Sequence, residues 1–523
     1  MDPLVIGETP LTLQSVQQFL QHNLVVSLSP QVLDHVRASR SVVEQAGQGQ
    51  VPVYGVNTGF GKLATQKVGP EELGQLQTNL IRSHAIGVGP PLPPPVVRTA
   101  LLLLINSLAK GRSGVRPALL ESLVTFLNSG ICPVVPQYGS LGASGDLAPL
   151  AHLVLSLLDE NPVLTTDGTE HPHLSSLSPE LVLNGLAAKE GLALINGTHF
   201  TTAVTTVAWL RAVNLVQHSF LCSSLAVDAL LGSLVPFREE IHLARPQEGQ
   251  QWAGKVMRSL LEGSAMARAY ADPQTDPRVQ DPYSFRCFPQ VVGGVTQVLL
   301  HTRDILEAEF QCVTDNPVVT AGGDVLSGGN FHAEPVSLVA DYMAIAVAKL
   351  TAILEKQVEK LLNPAHNFEL PAFLTPRPGL NSGFMIAHYT QAALLNRILL
   401  LTKPAGVDSI PTSANQEDYV SMGMNAGLKL AEQLDLLEDF MALQFMQVSQ
   451  ALTLRKEAIM LTSSTTNEAV LERIRSVIPR LDQDRPMAPD QRIMKDLLVG
   501  GELLSVADCP TLEQWGRWLL GST

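Results

Sequence analysis

The sequence predicts a mostly α-helical protein: a compact, mixed N-terminal domain over residues 1–200, then an elongated helical bundle over residues 201–523. The bundle follows from period. Val339, Met343, Ala346, Leu350, Leu354, Val358 and Leu361 recur at three- and four-residue steps, as do Leu430, Leu434, Leu437, Met441, Phe445 and Val448. That spacing marks one face of a long helix. These segments carry few charges, so burial on more than one side is expected, as where helices pack against neighbouring subunits as well as their own chain. The N-terminal domain follows from punctuation: turn-formers at Gly47 to Gly61, the run Pro90, Pro91, Pro93, Pro94 and Pro95, and the segment Gly139 to Pro149 break it into short elements.

Two further stretches, Asp272 to Gly294 and Asn363 to Gly383, are rich in Pro and Gly and read as long irregular loops. Such loops in a compact protein usually serve a function. The first carries Tyr283, Arg286 and Gln290, a polar and aromatic set that a passive linker does not need.

Charge and cysteine usage exclude several classes. A net charge of −14 and a pI near 5.4 leave no concentrated Lys and Arg for phosphate backbones, so nucleic acid is not an expected partner. The five cysteines are widely spaced, with no Cys-x-x-Cys, which points to neither a disulfide framework nor zinc. Met1-Asp2-Pro3-Leu4 shows no basic region ahead of an apolar run, so no secretory leader is expected and a cytoplasmic location is the default. Residues 191–210 are too interrupted by Asn196, Gly197, His199 and threonines to span a membrane. Asn196-Gly197-Thr198 is formally a glycosylation acceptor, a reading with little weight without a leader. Gly59-Phe60-Gly61-Lys62-Leu63-Ala64 approximates a dinucleotide fingerprint but lacks the acidic residue about 20 positions later. The thirteen histidines are scattered, and metal, nucleotide and pyridoxal phosphate cofactors are not expected.

One segment carries chemistry of its own. Residues 139–152 read GSLGASGDLAPLAH. If the Gly145 nitrogen closes on the Ala143 carbonyl and Ser144 loses its hydroxyl as water, the product is a five-membered ring with an exocyclic methylene, an electrophile. Gly145 can take backbone angles closed to other residues, and Gly142 and Ala143 add little bulk, so the tight turn this needs is available.

The segment resembles the active-site loop of the aromatic amino-acid ammonia-lyases, whose prosthetic group is 4-methylidene-imidazol-5-one. Further matches fall, in family order, at Tyr54 to Gly61, Ser83-His84, Asn196-Gly197-Thr198, Gln280 to Arg286, Gly329-Asn330-Phe331-His332 and Asn415-Gln416-Glu417-Asp418. The resemblance implies an ammonia-lyase-like fold with the loop in the N-terminal domain and the bundle packed in a homotetramer. It implies that Ala143, Ser144 and Gly145 form the electrophile to which the substrate amine adds. Tyr54, on a mobile Gly-rich loop, is placed as the base for the β-proton, a role in which tyrosine needs donors or positive neighbours that favour its anion. Arg286 is placed on the substrate carboxylate, where its planar fork makes two hydrogen bonds. Tyr283 and Asn196 match residues contacting the amine, the carboxylate or the ring, and Gln280 and Phe331 match residues that position or flank it.

Substrate choice rests on fewer positions. Ser83-His84 resembles the histidine-specific members, where this histidine faces an imidazole, and Glu417, beside Gln416, supplies a carboxylate for an imidazole N–H. The resemblance then implies elimination of ammonia from L-histidine to give trans-urocanate. Tyr419, Phe288 and Asn396-Arg397-Ile398 depart from the histidine-specific pattern. They keep open a tyrosine or phenylalanine ammonia-lyase or an aminomutase, and, in a different class, a non-catalytic helical assembly protein built on the same scaffold.

Overall fold

Prolines start several of the helices. The helices Pro30–Gln48, Pro94–Ala109 and Pro117–Asn128 each open on a proline, whose fixed φ suits the first turn and whose missing N–H would have had no helical partner there. The Pro-rich run therefore splits into the strand Val88–Pro91 and the start of a helix. The computed structural model describes residues 2–269 and 279–521. The fold is mostly α, as expected. Its strands are two to four residues long and form small separate sheets.

Two compact units divide the chain. One comprises Met1–Ala208, Arg303–Asp341 and Pro404–Lys429, the other Trp209–Thr302, Tyr342–Lys403 and Leu430–Thr523. The sequence-based division at residue 200 takes the domains as consecutive, whereas these units interleave along the chain. Cut points at 208/209, 302/303, 341/342 and 429/430 fall inside the helices His199–Ala229, Phe288–Phe310, Glu334–Leu362 and Gly423–Ile459.

In the first unit the helix Pro94–Ala109 is buried from Val96 to Ala109 apart from Arg98, as its run Ala100-Leu101-Leu102-Leu103-Leu104-Ile105 requires of a helix apolar all round. Three small sheets surround its neighbours: Leu4–Ile6 pairs in parallel with Val26–Leu28, Val88–Pro91 antiparallel with Pro136–Tyr138, and Val163–Leu164 lies between Cys132–Pro133 and Glu170–His171. The hairpin Val318–Val319/Val325–Leu326 completes the set.

The second unit corrects one expectation. Of the stretch read as irregular, residues 272–278 lie outside the described residues, but Tyr283–Arg286 and Phe288–Phe310 are helical. The breakers are accommodated. Pro289 sits in a first turn, and Gly293 permits close helix contact, since a Cβ there would lie 2.5 Å from the Gln250 backbone nitrogen. The segment 363–384 does stay irregular apart from a short turn of helix at Ala372–Leu374. The two periodic segments become Glu334–Leu362 and Gly423–Ile459. Glu334–Leu362 is long and apolar enough to cross a membrane, but 72% of its most apolar window is buried inside the protein, as in a core helix.

Burial makes one histidine of this unit a titration point. His218 packs edge-on against Phe445, its Nδ1 meets the Asn214 carbonyl at 2.8 Å, and burial pushes its pKa down to about 4 from the ordinary 6.5. The folded chain therefore holds it neutral while the unfolded chain protonates it below pH 6.5, so its contribution is present above that pH and lost as pH falls toward 4. Urea midpoints should fall over this window, and His218→Leu should flatten the fall; an unchanged slope in the variant would assign the acid sensitivity elsewhere.

Candidate active site

Two charge pairs in the first unit, one buried on both sides and one with a half-exposed arginine, deliver the site's asparagine. Lys189 Nζ meets Asp315 at 2.6 Å with both side chains almost wholly buried, and Arg116 takes both oxygens of the buried Glu190 at 2.7 and 2.8 Å. Glu190 also accepts the backbone amides of Arg116 and Ala187. These contacts pin the start of the short helix Glu190–Ile195, which ends at Asn196. Asp315 in turn accepts the Asn316 amide at 2.7 Å. Removing either member of the Lys189–Asp315 pair, or Arg116 from beside Glu190, would leave an uncompensated buried charge.

The loop 139–147 is held from below by Asp146. Its fully buried carboxylate accepts the Ser140 hydroxyl at 2.9 Å, the Phe200 and Thr201 amides at 2.6 and 3.0 Å, and the Thr201 hydroxyl at 2.5 Å. Burial pushes its carboxyl upward from the usual range while these donors pull it down. Its own amide donates to the Gly197 carbonyl at 2.7 Å. Gly145 has φ +81, and a Cβ there would lie 2.1 Å from the Gly197 nitrogen, so no other residue fits. Gly142, at φ +64, is nearly as confined, since a Cβ there would lie 2.4 Å from the Ser421 hydroxyl oxygen.

Above the loop opens a cavity of about 1000 Å³. Of the residues singled out from sequence, Tyr54, His84, Ala143, Ser144, Asn196, Phe331, Gln416 and Glu417 all line it. Ser144 Oγ donates to Glu417 Oε1 at 2.7 Å, and the same carboxylate accepts the hydroxyls of Thr412 and Ser413 at 3.1 and 3.2 Å. Asn196 Nδ2 donates to the Ser144 carbonyl at 2.8 Å, while its buried Oδ1 has no partner among the described residues. The Gly61 amide donates to the Tyr54 hydroxyl at 3.3 Å, and Asn57 ties the preceding turn through the Val53 amide and the Ala46 and Val51 carbonyls. His84 Nδ1 lies 2.8 Å from the Leu80 carbonyl, which can only accept, so Nδ1 carries the proton and Nε2 is left as an acceptor. Burial pushes the His84 pKa below its ordinary value, against smaller upward pulls from that carbonyl and from Glu417, and the ring is neutral at pH 7.

Sequence reasoning did not single out Asn316, whose Oδ1 accepts the Gly328 amide at 2.7 Å, or His332. His332 stacks on Tyr419 at 5.9 Å and 15° between planes. His332 stood in plain view beside Phe331, but nothing in one chain marks the meeting of residues 316, 332 and 419.

Gln280, Tyr283 and Arg286 belong to the second unit and are not among the residues lining this cavity. There the Arg286 guanidinium lies over the Tyr283 ring at 4.8 Å, and its Nε is buried with no partner among the described residues. Asp281 anchors the segment by accepting the Ser233 amide at 2.7 Å. Phe288 is a core residue packed edge-on against Phe220, and Arg397 pairs with Glu432 at 2.7 Å, so neither departure lines the cavity. Tyr419 does.

A methylidene-imidazolone would fit these residues. The turn meets a cradle at Gly145 that any Cβ would fill, Ala143 is buried with Val420 and Met422, and the unpartnered Asn196 oxygen lies on the residue that holds the Ser144 carbonyl.

The comparisons with known proteins agree. The family model for aromatic amino acid lyases matches residues 11–476. The chain is 44% identical to a histidine ammonia-lyase of Stigmatella aurantiaca over 97% of this chain and 98% of that one. The crystal structure of histidine ammonia-lyase from Trypanosoma cruzi superposes with a TM-score of 0.89 at 34% identity, covering 99% and 98% of the two chains. Tyrosine aminomutase from Streptomyces globisporus superposes with a TM-score of 0.90 at 33% identity, covering 97% and 98%. Enzymes of this kind act on small amino acids, are typically oligomeric and in general depend on methylidene-imidazolone. With a match over most of its length and relatives this similar from end to end, the chain belongs to the aromatic amino acid lyase family and is a carbon–nitrogen lyase.

Proposed function

We propose that the protein is a histidine ammonia-lyase that converts L-histidine to trans-urocanate and ammonia. The observation that carries this reading is a cavity in which the Ser144 hydroxyl and the Glu417 carboxylate meet at 2.7 Å, with neutral His84 on the same wall. The similarity to histidine ammonia-lyases supports the substrate.

Ala143, Ser144 and Gly145 would form the methylidene-imidazolone, with Asn196 holding the central carbonyl oxygen and Phe331 flanking it. When formed, that group supplies the electrophile that turns the substrate's amino group into a better leaving group. Tyr54 takes the β-proton at its hydroxyl oxygen, which the Gly61 amide orients. His84 Nε2 and Glu417 both accept, so either can take the N–H of an imidazole and the two together suit both N–H groups of an imidazolium, whereas a phenyl ring has no donor to offer them. Gln416 also lines the cavity, and Leu80, Leu147, Leu192 and Ile195 supply apolar lining. Arg286 binds the substrate carboxylate, with Tyr283 and Gln280 beside it, and a homotetramer with sites shared between subunits would bring these residues to the loop. Five unpaired cysteines suit a reducing, cytoplasmic setting.

The prosthetic group can be read by mass. The active protein should be lighter by two waters, with the deficit on the peptide containing Ser144. Ser144→Ala should fold and associate normally, show the unmodified backbone mass, and lose nearly all activity. Active protein of unmodified mass would refute the electrophile.

Binding and chemistry should separate. Arg286→Lys keeps the charge but loses the two-pronged geometry, so KM should rise at a cost of about 1.5 to 3 kcal/mol. Tyr54→Phe should lower kcat with little change in KM. Intact turnover in Tyr54→Phe would move the base elsewhere, with Tyr283 the next residue to test.

Parallel ultraviolet assays with histidine, phenylalanine and tyrosine should show histidine strongly preferred over phenylalanine, whose ring leaves His84 and Glu417 unsatisfied at roughly 1 to 3 kcal/mol each. Replacing Ser83-His84 with Phe-Leu should depress histidine turnover and admit phenylalanine. Faster deamination of tyrosine or phenylalanine by the wild-type protein, or a β-amino acid product, would replace this assignment with the aryl-lyase or aminomutase reading and point to Tyr419 as the residue that reshaped the pocket.

A further inference from the structure

The residue behind the loop has no part in the chemistry above. His199 is 5% exposed, neither of its ring nitrogens has a hydrogen-bond partner among the described residues, and burial alone pushes its pKa down to about 4. An imidazole in that state costs stability. What its ring does touch is Gly197. A Cβ on Gly197 would lie 2.4 Å from His199 Cε1 and 2.8 Å from its Nδ1, so the ring fills the space a side chain at 197 would need. Gly145 lies against the amide and carbonyl of the same Gly197, within 2.1 and 2.7 Å of where its own Cβ would sit.

We propose that His199 is a positioning residue for formation of the prosthetic group: its ring backs Gly197, Gly197 backs Gly145, and the Ala143–Gly145 turn is thereby kept compressed in the shape that favours ring closure. The inference rests on the reading that this turn cyclises. Beyond the ring is a cavity of only about 10 Å³, lined by Leu103, Thr202 and Phe310 among others, so the ring has little room to retreat. Gly197 is also tied from its other neighbour. The Thr198 amide donates to Thr314 Oγ1 at 3.3 Å and its hydroxyl to Glu309 at 2.5 Å. Closure requires the Gly145 nitrogen to stay near the Ala143 carbonyl for the lifetime of a slow reaction, and a backbone free to relax by a fraction of an ångström would lose that geometry.

A volume role makes a specific demand: cyclisation should follow side-chain size at 199 and not the presence of nitrogen. The experiment is intact-mass analysis of freshly purified wild-type, His199→Ala, His199→Val and His199→Leu protein, with circular dichroism and gel filtration as folding controls. The wild type should carry the two-water deficit in nearly all chains, His199→Leu should match it, His199→Val should fall short, and His199→Ala should be cyclised in only a minor fraction. Activity per cyclised chain should be the same throughout, since His199 touches no substrate. A full deficit in His199→Ala overturns the proposal, and so does a lost deficit in folded His199→Leu. If His199→Ala does not fold, the order of Leu above Val decides. A wild-type chain of unmodified mass would instead remove the cyclisation reading itself, whatever the variants do.

Discussion

The Asp146 carboxylate lies where water does not reach, and it takes its four hydrogen bonds from two places that are distant in sequence. Ser140 belongs to the loop, whereas Phe200 and Thr201 are in the first turn of the helix His199–Ala229. The first amides of a helix have no internal partners and present a partial positive charge, so a carboxylate is well accommodated there. The arrangement does two jobs at once. It satisfies a helix terminus that would otherwise be costly to bury, and it brings residue 146 to the Gly197 backbone, which forces Gly145 into contact with Gly197. The cavity floor exists because that one charge needs those particular donors.

The charge pairs farther along the chain work differently. Lys189 and Asp315 are both desolvated, and hydrophobic residues of similar volume often do as well for stability. What such residues would not do is hold two chain segments in one register. Lys189 adopts a left-handed backbone at φ +72, and Asp315 spends its second oxygen on the Asn316 amide. The pair therefore ties the segment that leads into Asn196 to the segment that supplies Asn316, and both residues line the cavity.

Much of this was legible in the chain. The loop 139–152 is contiguous, and its small residues are the ones a compressed turn demands. The helices over 334–362 and 423–459 announce themselves because their apolar spacing is local. Less legible were features set by close approach between distant segments. Pro289 and Gly293 look like breakers in a string, and only the structure shows Pro289 in a first turn and Gly293 packed on Gln250. The division into units escaped for the same reason, since segments 303–341 and 404–429 return to the N-terminal unit through contacts that no period records. His84 and Glu417 could be named as a pair only through resemblance; spacing alone cannot bring together residues so far apart in the chain.

The partners of Ser144 also set an order of events in time. Its carbonyl is held by Asn196, 52 residues later, and its hydroxyl by Glu417, 273 residues later. A ribosome making this chain releases the Ala-Ser-Gly turn long before either partner exists, so the nascent turn is an ordinary flexible segment with none of these constraints. The loop acquires its backing when the chain through Thr201 has folded, and its full set of contacts only after Glu417, Ser421 and Met422 have emerged. The shape that would make the backbone react is thus withheld from unfinished chains, so ring closure at this turn would wait on completion of the fold.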